Sequence, residues 1–228
     1  MHTLCIDIGG TGIKAIVLDA TGQPRGERLR VPTPRPATPE AVLAAMEELF
    51  AALGEFDRVS VGFPGVVVDG ITRTAPNLDP AWNDFPLALR LGERTGRPVR
   101  VANDAGVQGL AVIEGIGVEL VLTLGTGMGF ALYISGHYVP NIEMGHHIVR
   151  GRRTYEDRVG EPARERVGNK RWRQRVLQIV ASLQPVFNPR VLYIGGGNAR
   201  LLDPATVPEG VRVVDNIAGL LGGLKLWD

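Results

Sequence analysis

Two segments of this chain have the same plan. Residues 6–22 read IDIGGTGIKAIVLDATG, and residues 122–136 read LTLGTGMGFALYISG. In each, an apolar stub runs into a Gly-Thr-Gly turn, a second apolar strand follows, and a glycine closes the unit. A third glycine run, in VLYIGGG (Val191–Gly197), also follows an apolar strand. Glycine adopts φ > 0 freely and lets a backbone approach a ligand closely. A turn of successive N–H groups forms a concavity that attracts anions. Taken singly, Gly-Thr-Gly is also ordinary hairpin punctuation. Two copies in the same strand frame, the first just behind Asp7, point to a duplicated fold closing on a phosphorylated ligand.

Composition narrows the class. With 228 residues, 44% hydrophobic and 21% charged, the chain reads as an ordinary globular protein of one large or two small domains. A net charge of +1 gives no overall field directing it to nucleic acid or to a membrane surface. The one cysteine, Cys5, has no partner for an internal disulfide and reads as a small core residue, consistent with a reducing, cytoplasmic setting. Asp7 comes too early for a secretory leader, and no uninterrupted apolar run approaches the roughly 18 residues of a membrane span.

Apolar spacing predicts hairpin strands at 3–8 and 13–19, a helix over 39–53, a strand at 59–63, a helix over 87–95, a strand at 99–102 and a helix over 105–113. Residues 23–39, with five prolines, read as a strand edge and loop, and residues 66–86 as irregular. The second half repeats the order: a hairpin near 120–134, a loop, a helix over 172–183, a strand at 191–194 and a last helix from about Asn216. Alternating strands and helices imply an α/β fold with a partly parallel sheet.

Four stretches carry chemistry. In VRVAND (99–104) an apolar strand runs into Asn103-Asp104 where a helix begins. Ligands of open α/β sheets bind outside the carboxyl ends of strands, and a carboxylate there can accept a proton from an attacking hydroxyl. Asp104 also suits an N-cap. In NIEMGH (141–146) Glu143 and His146 offer an acceptor and a donor for sugar hydroxyls, or two metal ligands without a cysteine cluster to complete them; His147 reads as structural. On one loop, Asn77, Asp79 and Trp82 suit a polyol, although Asp79 and Trp82 singly read more simply as turn residues. Between residues 150 and 175 stand nine Arg and one Lys against four acids, a local excess of six in a chain otherwise slightly acidic. That tract is either a solvated helix face or an anion-binding surface.

These motifs together resemble the ROK family of sugar kinases, within the actin-like ATPase superfamily. The matching pieces, in the family's order, are DIGGTGIK (7–14), FPG (63–65), APNL (75–78), ND (103–104), LGTGMG (124–129), ExGH (143–146) and GGG (195–197). Family members commonly carry a zinc-binding cysteine cluster after ExGH. This chain has RGRRTYEDRVGEPARERVGNKRW there and no cysteine, a layout similar to the polyphosphate glucokinase branch, as is VPN before ExGH. No zinc site is therefore expected.

The resemblance implies a two-lobed α/β fold of the actin-like (ribonuclease H-like) type with the ligand cleft between lobes. One lobe would span 1–104 and recover a C-terminal helix at 214–228; the other would span 105–213. It also implies residue roles. Asp104 is the general base for a sugar 6-hydroxyl. Asn103, Glu143, His146 and Glu156 bind sugar hydroxyls, with Gly65 and Asn77 completing the pocket. Gly9, Gly10, Thr11, Gly12 and Lys14 hold donor phosphates, with Thr126 and Gly127 as a second clamp. Asp7 organises Mg²⁺ through water, and Gly195, Gly196 and Gly197 line the nucleotide end. The implied reaction is phosphorylation of glucose from inorganic polyphosphate or ATP, by a homodimer with no nucleic-acid or membrane partner. The rivals are an ATP-dependent hexokinase for glucose, mannose or fructose, a sugar-sensing ROK protein without catalysis, and a degenerate pseudokinase. Sensors of the repressor type carry an N-terminal helix-turn-helix, whereas here the catalytic domain is expected to begin at residue 3.

Overall fold

The computed structural model describes residues 1–214 and 216–228, without the side chains of Arg150 and of residues 216–219. The chain divides into two compact units, Met1–Ala111 with Ala218–Asp228, and Val112–Ile217.

In chain order, unit one comprises β1 (Thr3–Ile8), β2 (Ile13–Leu18), β3 (Leu29–Val31), α1 (Pro39–Leu53), β4 (Arg58–Phe63), β5 (Val67–Val68), β6 (Ile71–Thr72), α2 (Leu87–Thr95), β7 (Val99–Asn103) and α3 (Asp104–Leu110). Its five-stranded sheet has the order β3-β2-β1-β4-β7. The first three strands pair antiparallel, and β4 runs parallel to both β1 and β7. The two-residue side-chain period of a strand divides β1 between two faces. Leu4, Ile6 and Ile8 join Val42, Leu43 and Met46 of α1 in the main core, while Cys5 joins Ile16, Leu18 and Leu220 in a smaller cluster. Thr38 starts α1 by accepting the Ala41 amide, with Pro39 at its first position. Burial pushes the Cys5 thiol up to about 12, so it behaves as a core atom.

The segment Asn216–Trp227, expected to be an α-helix, is a 3₁₀ run. Gly222 and Gly223 account for its close seat on unit one. A Cβ at Gly222 would lie 1.8 Å from the Val107 carbonyl oxygen, and one at Gly223 would lie 2.8 Å from the Cys5 sulfur. Ser60 donates to the Gly223 carbonyl at 2.6 Å and accepts from the Trp227 indole at 2.8 Å.

Unit two comprises β8 (Val118–Leu124), β9 (Met128–Ile134), β10 (His137–Val139), β11 (Ile148–Arg150), β12 (Arg153–Thr154), α4 (Glu156–Val159), α5 (Glu161–Phe187), β13 (Val191–Gly195) and β14 (Val211–Val213). Its sheet order is β10-β9-β8-β13-β14, again a three-stranded antiparallel run followed by two parallel neighbours. The duplication read from the two hairpins therefore extends to the topology of both sheets. The first sheet's outer strands, β3 and β7, correspond to β10 and β14. Helix α5 starts eleven residues before the expected Trp172 and is broken at Gly168, whose φ is 74°. Its first part carries charge rather than an apolar stripe, so periodicity alone detects only the part whose Trp172, Val176, Ile179, Val180 and Leu183 enter the core.

Candidate functional site

In unit one the parallel strands β1, β4 and β7 deliver their carboxyl ends to one edge of the sheet. The Gly9–Gly12 turn follows β1 and is closed by the Gly9 amide donating to the Gly12 carbonyl at 3.0 Å. Three side chains brace it. Thr33 donates to the Gly9 carbonyl, Arg35 to the Gly10 carbonyl at 2.9 Å, and Arg30 to the Thr11 carbonyl at 3.2 Å. The Arg30 guanidinium fills the space a side chain at Gly12 would need, 2.6 Å from that Cβ position. Sequence reading missed all three, because they lie in the proline-rich stretch where spacing carries no periodic signal. Asp7 and Lys14 are directly opposed across β1 and β2 and form an ion pair at 3.0 Å.

At the end of β7, Asn103 caps α3, accepting the Gly106 amide at 3.2 Å, and its own amide reaches the Gly65 carbonyl at 3.3 Å. The capping role expected of Asp104 belongs to Asn103, and Asp104 is the first residue of the helix, where its carboxylate accepts the Ala105 amide at 2.7 Å. Two glycines make room here: a Cβ at Gly62 would lie 3.4 Å from the Asp104 Cα, and one at Gly65 only 2.0 Å from the Thr74 carbonyl oxygen. Asn77 is exposed, and its Cβ lies 3.6 Å from where a Gly10 Cβ would stand. Unit one therefore gathers Gly10, Asn77, Gly65, Asn103 and Asp104 at one end of its sheet. It does not gather Trp82, which is fully buried against Phe63 and Phe85 and donates to the Ala37 carbonyl. Asp79 caps a 3₁₀ turn by accepting the Ala81 amide at 2.9 Å. The polyol reading of these two residues gives way to core packing and turn chemistry.

In unit two the Gly125–Gly127 turn joins β8 to β9, with the Gly125 amide donating to the Gly127 carbonyl at 3.1 Å. Glu156 of α4 fills the side-chain space of Gly127, 2.0 Å from that Cβ position. The same carboxylate accepts the Met128 amide at 3.1 Å. The Met144–His146 turn packs onto the start of β9, where a Cβ at Gly145 would lie 2.3 Å from the Met128 carbonyl oxygen. Glu143 is half-buried, and that burial holds its carboxyl above the usual range; His146 opposes the shift and Glu156 adds to it. Glu143, His146 and Glu156 therefore share one electrostatic neighbourhood beside the second turn. His147 instead stacks on Tyr155 at 5.6 Å between ring centres, as a structural residue would.

The third glycine run adjoins the same turn. Gly196 has φ 86° and leaves no room for a side chain, with the Leu124 carbonyl oxygen 2.5 Å from its Cβ position. Asn198 donates its amide to the Leu124 carbonyl at 2.9 Å and its side chain to Gly125 at 3.4 Å and to Glu161 at 2.6 Å. The Glu161 amide in turn reaches the carbonyls of Gly125 and Thr126 at 3.0 and 3.1 Å. Bonds from Arg164 and then Asn198 hold the Glu161 carboxyl down to about 2. No sequence motif marked Glu161 or Asn198.

Among the described residues no group of three or more His, Cys, Asp and Glu side chains is arranged to hold a metal ion, and no helix is long and apolar enough to cross a membrane. In the basic tract, Arg164 pairs with Glu161, and the Arg150 side chain lies outside the described residues.

The ROK family profile matches residues 3–165. A polyphosphate glucokinase of Mycobacterium tuberculosis is 34% identical over 238 residues, covering 97% of this chain and 89% of its own length. The crystal structure of an inorganic polyphosphate/ATP-glucomannokinase from Arthrobacter sp. strain KM has a TM-score of 0.89 and 34% identity, covering 100% of this chain and 99% of that one. A ROK family glucokinase from Streptomyces griseus, solved with glucose and AMPPNP, shares the fold with a TM-score of 0.83 at 22% identity, covering 99% of each chain.

Proposed function

The chain belongs to the ROK family, and from that premise we propose that it is a kinase that phosphorylates glucose at the 6-hydroxyl, with inorganic polyphosphate as donor and ATP as a second donor. The fold is the α/β, actin-like fold of ROK kinases. The observation that most supports a sugar kinase is the grouping of Glu143, His146 and Glu156 beside the Gly125–Gly127 turn. Two carboxylates and an imidazole are suited to sugar hydroxyls, and a Gly-Thr-Gly turn to a phosphate.

Asp104 acts as general base. It takes the proton of the 6-hydroxyl as that oxygen attacks the terminal phosphorus of the donor. The bond from this phosphorus to its bridging oxygen breaks, and a polyphosphate shorter by one unit leaves. Asn103 fixes the end of β7 through Gly65, and with Asn77 it offers amides to the sugar; Glu143, His146 and Glu156 of unit two offer carboxylates and an imidazole to its hydroxyls. Phosphoryl transfer asks the protein chiefly for positioning and for stabilisation of charge on the transferred group. Gly9, Gly10, Thr11 and Gly12, with Lys14, provide part of that stabilisation, and Thr126 and Gly127 provide more. Gly195, Gly196 and Gly197 serve the nucleotide end when ATP is the donor.

Mg²⁺ typically binds through one or two carboxylates and substrate phosphates. Asp7, a carboxylate at the end of β1 with Lys14 on one oxygen, fits such a site. Bound there through water, the ion would neutralise donor charge.

A coupled assay of glucose 6-phosphate formation by the purified protein tests the reading. Turnover with polyphosphate is expected. Turnover with ATP alone would replace the reading by an ATP-dependent hexokinase. Mannose is the acceptor to compare, because the Arthrobacter protein is a glucomannokinase.

A further inference from the structure

Unit two contains a pocket of about 440 Å³ lined by Arg153, Arg158, Arg171, Gln174, Arg175 and Gln178. The α5 residues among them stand at positions i, i+3, i+4 and i+7 and so share one face of the helix. Trp172, fully buried, donates to the Val159 carbonyl at 2.7 Å and locks α5 against α4. Arg175 donates to the Arg158 carbonyl at 3.3 Å, and the Arg158 guanidinium is held by Gln178 at 2.9 Å. The lining is thus partly preorganised.

Four guanidiniums converge there without an ion-pair partner, although Asp157 lies near enough to Arg153 for that charge to help hold the Asp157 carboxyl below its usual range. None of the lining residues is acidic, and among the described residues none of the four arginines forms an ion pair, whereas Arg73, Arg90, Arg94, Arg164, Arg190 and Arg212 all do. The nearby acids are engaged elsewhere: Glu156 at Met128, Asp157 at the Thr154 amide, Glu161 at Arg164. Burial, and then the charges of Arg171, Arg158, Arg166 and Arg153, make Arg175 easier to deprotonate than an ordinary arginine. An anion seated among these groups would relieve that repulsion.

The lining also says which anion. A nucleotide base is best held by apolar or aromatic side chains, and this pocket is lined only by arginines and glutamines, whose polar ends predominate. Arginine forks grip phosphate oxygens in pairs. The pocket shares α4 with Glu156, two residues before Arg158 and set against the Gly127 turn. We propose that the Arg153–Arg158–Arg171–Arg175 pocket is an anchoring subsite for inorganic polyphosphate, holding phosphates that trail several units behind the one transferred. This rests on the donor reading above. ATP and tripolyphosphate, which lack such a tail, do not occupy the subsite.

The test uses Arg153→Gln with Arg171→Gln. Both side chains are exposed, so the fold is retained, and equal melting temperatures check this. Steady-state kinetics are measured with long-chain polyphosphate, tripolyphosphate and ATP across a salt series, and binding of long-chain polyphosphate is measured without glucose. The KM for long chains is expected to rise about tenfold or more, the weight of one or two charge-assisted contacts. The slope of its logarithm against log salt should fall by about 1.4, at roughly 0.7 per phosphate of a single-stranded polyanion. Affinity in the binding assay should fall in parallel, while KM for ATP, tripolyphosphate and glucose stays unchanged. An unaltered long-chain KM and affinity would overturn the subsite, as would an equal rise for ATP. So would a variant that loses binding of single-stranded nucleic acid but not use of polyphosphate. Failure of the donor reading is a different result: the native protein would then form no glucose 6-phosphate from polyphosphate of any length.

Discussion

The carboxylate of Glu156 occupies the space that a side chain at Gly127 would need, 2.0 Å from its Cβ position, while accepting the Met128 amide at 3.1 Å. The second Gly-Thr-Gly turn and α4 are therefore built around one another. A methyl group at Gly127 must expel Glu156. Gly127→Ala is expected to weaken glucose binding about as much as Glu156→Ala, by tenfold or so for one charge-assisted hydrogen bond. The double variant should be no weaker than either single one, since both remove the same carboxylate. Glucose titration by calorimetry checks this; additive losses would separate the two residues.

Asn103 carries the α3 cap, which leaves Asp104 its chemistry. Asp104→Asn keeps the size of the side chain and the start of the helix but removes the proton acceptor. A fall in kcat of about 10² to 10⁴ is expected, the usual weight of general base catalysis, with glucose affinity largely kept. Near-normal turnover would take the base role away from Asp104.

The pH dependence of glucose binding should report Glu143. Burial raises its folded pKa, so the ionised, hydroxyl-accepting form is lost at a higher pH than for a free glutamate. Glucose KM should therefore climb on acidification while an ordinary carboxylate is still charged, and Glu143→Gln should abolish that dependence. The sign for stability is opposite. A raised folded pKa gives stability that is present below the unfolded value and is lost as pH rises through the folded value. Denaturation of native protein and Glu143→Gln at neutral and mildly acidic pH should thus show native stability falling toward neutrality relative to the variant.

Trp82 separates packing from binding. It is fully buried and its indole donates to the Ala37 carbonyl at 2.8 Å. Trp82→Ala should destabilise the protein by about 3–5 kcal/mol, the usual range for a large aromatic removed from a core. Trp82→Phe should cost less and leave glucose KM unchanged. Urea unfolding and steady-state kinetics on the two variants decide this, and a KM rise in Trp82→Phe without loss of stability would return the residue to the sugar.

The sequence alone determined the elements whose signals are local. Apolar runs behind two Gly-Thr-Gly turns mark β1–β2 and β8–β9, and the spacing of Val42, Leu43, Met46 and Leu49 marks α1, because strand and helix periods are written along the chain. The residues of the ND and ExGH motifs were legible in the same way, through residue type and order. Tertiary structure decided what depends on contact across the chain. Arg30, Thr33 and Arg35 brace the first turn from 18 or more residues away, and Asn198 and Glu161 brace the second. Such hydrogen bonds leave no periodicity and no motif. Tertiary structure also assigned the cap to Asn103 and Trp82 to the core, since a side chain's partner is settled by which strands lie beside it. It likewise turned Arg153, Arg158, Arg171 and Arg175, from β12, α4 and α5, into one pocket, whereas the Arg164–Glu161 pair is local, three residues apart on α5. Charge can be counted in a sequence, but whether a charge meets an opposite one depends on the packing of α4 against α5.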